Sequence, residues 1–308
     1  MMNLKKEIKQ LKQEKDAVIL AHYYQDPAIQ DIADYCGDSL ELAKKAQETS
    51  AKLIVFAGVH FMAETAKILN PSKKVLVPDL DAGCSLADDC NATDFKKFID
   101  NYPEHLILAS INCSAEIKAM SDLVCTPSNA LEVVNRIPKH KKILFAPDEH
   151  LGNYLIKETG RDMIVWNGSC LVHEAFYFNK ILDLVVEYPY AQLIAHPESD
   201  AEVLRIAHFV GTTSKLLNFV KQDEHHEFIV AAETGILQEL QRLVPHKKLI
   251  PVPIQDDISC ACRECDFMKL NTLQKLYDCL KNEDPEIKLH HEVAHKAAVP
   301  LKEMMSLH

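Results

Sequence analysis

Cys260-Ala261-Cys262-Arg263-Glu264-Cys265 places three thiols within six residues near the end of the chain. Thiolates this close can ligate zinc or an iron–sulfur cluster, and Cys262 with Cys265 also matches the C-x-x-C pattern of disulfide chemistry. Taken alone, the motif leaves all three open. A second metal-like pattern, His291-Glu292-Val293-Ala294-His295, sets two histidines one helical turn apart, as in zinc hydrolases. No third ligand follows it, and a terminal helix rich in His and Glu is expected to present such a pair as a solvated face.

The cysteines as a set decide between these chemistries, and there are ten in 308 residues. The opening Met2-Asn3-Leu4-Lys5-Lys6-Glu7 is a charged helix start, and no apolar run reaches membrane-span length. A cytoplasmic protein is therefore expected. In a reducing compartment ten thiols point to metal ligation or redox chemistry and not to a disulfide framework. A net charge of −11 argues against nucleic acid or an acidic membrane as partner, since both require clustered Lys and Arg.

The elements that must position these thiols follow from apolar patterning. Residues 3–15 read as an amphipathic helix carrying Leu4, Ile8 and Leu11 on one stripe, followed by a buried strand over 17–21. Helices around 28–34, 39–48 and 61–69 alternate with strands at 53–57 and 75–77. The pattern then recurs: Ile19-Leu20-Ala21-His22 matches Ile107-Leu108-Ala109-Ser110 and Leu193-Ile194-Ala195-His196, with the alanines 88 and 86 residues apart. Such a period, carrying several strands and helices, implies three copies of an α/β layer domain. The expected division is 1–82, 83–168 and 169–284, with 285–308 a helical segment packing back on the body.

This repeat sorts the thiols. Cys84, Cys170 and Cys265 each follow the closing strand of a unit. Functional groups in parallel α/β domains collect beyond the carboxyl ends of the strands. Three units about a pseudo-threefold axis would aim one thiolate each at a shared centre, and three thiolates on a cubane leave one iron open as a Lewis acid. Polar residues recur where each first strand ends: His22 with Tyr24, Ser110 with Asn112, His196 with Glu198. Another set precedes a helix in each unit: Gly37-Asp38-Ser39, Cys125-Thr126-Pro127-Ser128 and Gly211-Thr212-Thr213. Hydroxyls and free amides there cap helices or hold a small anion. Cys36, Cys90, Cys113, Cys125 and Cys279 are expected to be core thiols.

These stretches together resemble the quinolinate synthases, iron–sulfur enzymes of NAD biosynthesis, along essentially the whole chain. The likeness rests on His22-Tyr23-Tyr24-Gln25, Gly37-Asp38-Ser39-Leu40-Glu41-Leu42-Ala43, Phe61-Met62-Ala63-Glu64-Thr65-Ala66 and Asp81-Ala82-Gly83-Cys84-Ser85. It continues through Asn112-Cys113-Ser114-Ala115-Glu116, Gly168-Ser169-Cys170-Leu171-Val172-His173, His196-Pro197-Glu198 and Cys265-Asp266-Phe267-Met268-Lys269-Leu270-Asn271. The resemblance implies a transferase with a [4Fe–4S] cluster on Cys84, Cys170 and Cys265, between three pseudo-symmetric α/β/α domains with parallel sheets. The implied reaction condenses iminoaspartate with dihydroxyacetone phosphate to quinolinate, releasing phosphate and two waters, with an L-aspartate oxidase as the functional source of iminoaspartate. His22, Tyr24, His196 and Glu198 are the implied catalytic residues. Ser39, Asn112, Ser128, Thr212 and Thr213, together with His22, His196 and Glu198, are the implied substrate contacts, and His173 is a supporting candidate. Cys260 and Cys262 become neighbours of the site, with a regulatory Cys262–Cys265 disulfide conceivable. The second unit departs from the family at Ser110, Pro127 and Glu149, so a cluster-bearing relative with altered or lost substrate use is the alternative reading.

Overall fold

The computed structural model describes residues 2–253 and 264–306. Twelve short strands form three separate four-stranded sheets, all parallel. The first contains β1 (Ala17–His22), β2 (Tyr35–Gly37), β3 (Leu53–Ala57) and β4 (Lys74–Leu76). The second contains β5 (His105–Ser110), β6 (Leu123–Cys125), β7 (Lys142–Ala146) and β8 (Met163–Val165). The third contains β9 (Gln192–Ala195), β10 (Phe209–Val210), β11 (Glu227–Ala231) and β12 (Lys248–Pro251). Each has the same order, with its second strand outside the first and its third and fourth on the other side. In that order the chain reverses direction between the first and third strands of each sheet, and their carboxyl ends open a crevice.

The strands form because their apolar runs can be covered on both faces by helices. In the first sheet Val18, Leu20, Ile54 and Phe56 enter one core while Ile19, Ala21, Leu53 and Val55 enter the opposite one, following the two-residue period of a strand. The second sheet splits likewise into Leu108, Ile143 and Phe145 against Ala109, Leu144 and Ala146. The third places Leu193, Ala195, Ile229 and Ala231 opposite Ile194, Phe228 and Val230. Three α/β/α layer units result.

After β12 the chain returns to the first unit. The helix Leu273–Asn282, which the repeat spacing assigns to the third unit, buries Leu276, Cys279 and Leu280 with Ile8 and Ile19 of the first. The last helix, His291–Ser306, sends Ala297, Leu301 and Met304 into a core shared by Val75 and Met62 of the first unit and Ile111, Ala115 and Val124 of the second. It is a strap across two units. His291 and His295 face solvent on it, and Glu292 is engaged by Lys296 at 2.8 Å. No helix among the described residues is long and apolar enough to cross a membrane.

Candidate active site

The three thiols meet. Cys84, Cys170 and Cys265 each occupy the N-cap of a short helix (Ser85–Asp89, Leu171–Glu174 and Asp266–Lys269), and all three line one cavity of about 290 Å³. Burial pushes the Cys84 thiol up to about 12 and Cys265 up to about 11, and it raises Cys170 well above the ordinary range. Backbone amides of Ala87 and Leu86, of His173, and of Met268 and Phe267 partly offset this at the three sulfurs. A bound metal would offset that burial penalty and favour the thiolates. The donor set therefore fits a thiolate-held cluster. None of the three is in a disulfide. Cys260 and Cys262 lie outside the described residues, and with them the Cys262–Cys265 pairing.

Ser85 ties two of the thiol-bearing turns together, donating to the Ser169 carbonyl at 3.3 Å and accepting from the Leu171 amide at 3.2 Å. Buried Glu233 supports the third, accepting from the Cys265 amide at 3.2 Å and the Gly235 amide at 2.5 Å. Burial raises the Glu233 carboxyl to about 8. Neither role shows in sequence, because Ser85 acts across units and Glu233 on a turn 32 residues further along the chain.

His22, Tyr24, Ser39, Asn112, Ser128, His196, Glu198, Thr212 and Thr213 line the same cavity. His22 and His196 end equivalent strands and are locked alike. The Tyr24 amide donates to Nδ1 of His22 at 3.2 Å, and the Glu198 amide to Nδ1 of His196 at 3.4 Å. An Nδ1 that accepts leaves the proton on Nε2, so both rings are neutral. Burial lowers His22 to about 4 and His196 to about 3, outweighing the carboxylates nearby that pull the other way. Tyr24 stays a neutral phenol, its pKa raised by burial, and its hydroxyl meets Thr213 Oγ1 at 3.0 Å.

Glu198 is the buried acid of the site. Burial would raise its carboxyl, but the flanking histidines outweigh that and hold it below its ordinary value. Asn112 donates to Oε1 at 2.9 Å, while His173 Nδ1 and His196 Nδ1 lie 3.4 and 3.6 Å from Oε2. His173 stacks on His196 with ring centroids 4.4 Å apart. Asp38, which the sequence marks only as part of a helix-start set, also lines the cavity. Its Oδ1 caps its own helix by accepting from the Leu40 and Glu41 amides, each at 3.0 Å. Its Oδ2 accepts from Ser128 at 2.9 Å and Ser214 at 2.6 Å, and Ser128 in turn meets Thr212 at 3.0 Å. Of the second-unit departures, Pro127 reaches the cavity wall. The Ser110 hydroxyl is buried without a hydrogen-bond partner, and Glu149 starts the helix Glu149–Thr159 away from the cavity.

Three parallel α/β units that bring three thiols and two buried histidines to one cavity have the make-up of an α/β enzyme with a donor set that could hold a metal. The family model described as "Quinolinate synthetase A protein" matches residues 6–306, and the chain belongs to that family. It is 55% identical over 300 residues to the quinolinate synthase of Microcystis aeruginosa, covering 97% of this chain and 93% of the relative. It is 54% identical over 300 residues to that of Thermosynechococcus vestitus, covering 97% and 94%. Against the quinolinate synthase of Chloroherpeton thalassium it is 53% identical over 306 residues, covering 99% and 95%.

Proposed function

We propose that this chain is a transferase that condenses iminoaspartate with dihydroxyacetone phosphate to quinolinate, releasing phosphate and two waters. The observation that carries the reading is the convergence of Cys84, Cys170 and Cys265 from three repeats on a cavity shared with His22, His196 and Glu198. Those three thiolates would hold a [4Fe–4S] cluster, which when bound supplies one iron without a protein ligand, able to polarise a substrate oxygen.

The chain's own residues supply the rest. Neutral His22 and His196 offer Nε2–H to oxygens that gain negative charge, which a buried donor stabilises without first losing a proton. Glu198, fixed by Asn112, is the base placed to accept protons as carbon–carbon bond formation and dehydration proceed. Tyr24, oriented by Thr213, donates from the opposite wall. Ser39, Ser128, Thr212 and Thr213 offer hydroxyls to phosphate and carboxylates. Iminoaspartate is unstable in water, so an L-aspartate oxidase is the functional supplier in this reading.

Anaerobic purification followed by iron, acid-labile sulfide and quinolinate assays tests the proposal. Cluster-loaded protein given dihydroxyacetone phosphate and freshly generated iminoaspartate should form quinolinate. Cys84→Ser, Cys170→Ser and Cys265→Ser should each lose iron and activity together. Loaded protein without product would sink it, as would iron retained in all three variants.

A further inference from the structure

Beside the three-thiol arrangement, the cavity holds a second donor set of mixed chemistry. A sulfur of Cys170, a ring nitrogen of His173 and a carboxylate oxygen of Glu198 all lie within 4.8 Å of one another. We infer that, whenever the cluster is absent, these three residues bind a single divalent transition ion of the zinc type.

Geometry supports this first. Two donors about 2.0–2.1 Å from one tetrahedral ion stand roughly 3.3 Å apart. His173 Nδ1 and Glu198 Oε2 stand 3.4 Å apart. Cys170 and His173 bracket one turn, Cys170 at the N-cap and His173 inside the helix Leu171–Glu174, so they approach the ion from the same side. Asn112 occupies Oε1 of Glu198 and leaves Oε2 for the ion. Stacking on His196 fixes the His173 ring plane.

The second observation is independent. His173 is 2% exposed, its Nε2 is buried without a hydrogen-bond partner, and its Nδ1 faces only the Glu198 carboxylate at 3.4 Å. A buried imidazole so poorly partnered carries a desolvation penalty that a metal bond removes. Charge also balances. One thiolate, one carboxylate and a neutral imidazole offset a dication, with the Cys170 proton released to solvent and no change of oxidation state. A fourth position stays open toward the cavity.

Binding there withdraws Cys170 and Glu198 from any other use. The ion should therefore compete with cluster assembly, a consequence that rests on the cluster reading, whereas binding itself does not. The test uses cluster-free, full-length protein in a Cys260→Ser, Cys262→Ser background, which removes the neighbouring thiols. Zn²⁺ is titrated against a chromophoric chelator, and Co²⁺ reports ligation through its thiolate charge-transfer band. One ion per chain is expected. Cys170→Ser, His173→Gln and Glu198→Gln should each weaken it by roughly 10- to 100-fold. Cys84→Ser and Cys265→Ser should leave the affinity within about threefold, the ordinary scatter for residues outside the ligand set. Equal loss in Cys84→Ser or Cys265→Ser would assign the ion to the three thiols and overturn the inference, as would unchanged affinity in His173→Gln with Glu198→Gln. The Cys84→Ser, Cys265→Ser arm alters none of the ligands, so it decides the matter even if His173→Gln unfolds. Failure to load a cluster leaves the zinc arms intact, which separates the two readings.

Discussion

His22 is tuned away from its charged form, and that has a measurable consequence for stability. Burial lowers its pKa from 6.5 to about 4, against the pull of Asp38 and Glu198. The unfolded chain binds a proton there below about pH 6.5, whereas the folded protein does so only near pH 4. Between those values the unfolded state holds more protons, so stability falls as pH falls through this window and is fully present above it. A shift of this size corresponds to about 3 kcal/mol. His22→Gln should flatten the dependence of unfolding free energy on pH between 6.5 and 4 by an amount of that order. Urea unfolding at pH 7, 5.5 and 4.5 measures it, and parallel curves for the two proteins would contradict the assignment. The same neutrality implies that no activity limb near pH 6.5 should trace to His22. Ser85→Ala tests a different residue-scale claim. Removing the hydroxyl that joins the Cys84 and Cys170 turns should slow cluster loading with little change in unfolding free energy, checked by iron uptake against time.

At the scale of elements, close approach decides what the units can carry. A Cβ on Gly235 would sit 2.7 Å from the Tyr23 carbonyl, the Tyr24 Cα and the Glu233 carboxylate. Gly235→Ala should therefore push the third unit's loop off the first, displacing Tyr24 and Glu233 together. The expected cost is about 1–3 kcal/mol, with a larger fractional loss of activity than of folded protein, read from thermal melts beside turnover. Leu301→Ala on the strap helix should cost about 2–5 kcal/mol, since that side chain is fully buried between two units. How much of this was legible beforehand follows from physics. The runs at 53–57 and 228–231 announce buried strands because five and four consecutive residues face two cores. Tyr35–Gly37 and Phe209–Val210 do not, because edge strands of three and two residues carry no periodicity. The cysteines were legible through their repeat. Asp38 and Ser85 were legible only as motif residues, because their partners in other units are seen only in the fold, and Glu233 carried no pattern at all. The helix Leu273–Asn282 packs on the first unit, a contact on which its apolar stripe is silent.

At the scale of the whole molecule, one carboxylate holds all three units in register around the cavity. Ser128 has a single hydroxyl proton, so donating it to Asp38 obliges Ser128 to accept from Thr212. The chain therefore runs in one direction, from Thr212 of the third unit through Ser128 of the second to Asp38 of the first. Ser214 adds a second bond from the third unit, shared between Asp38 and Glu41. Hydrogen bonds to a charged acceptor are worth about 1.5–3 kcal/mol each, and those made across units report assembly and not local helix formation. Asp38→Ala alone confounds the two, because it also deletes the cap of its own helix. A double-mutant cycle separates them: Asp38→Ala, Ser128→Ala and the pair, compared by unfolding free energy. Ser128 does not cap the Asp38 helix, so any coupling comes from the bond between units, and about 1–2 kcal/mol is expected. Thr212→Val should show coupling to Ser128→Ala but a much smaller one to Asp38→Ala, as a relay through Ser128 requires. Substrate affinity should fall in the same order. Additive free energies across the cycle would mean that the Asp38–Ser128 bond contributes nothing to holding the units together.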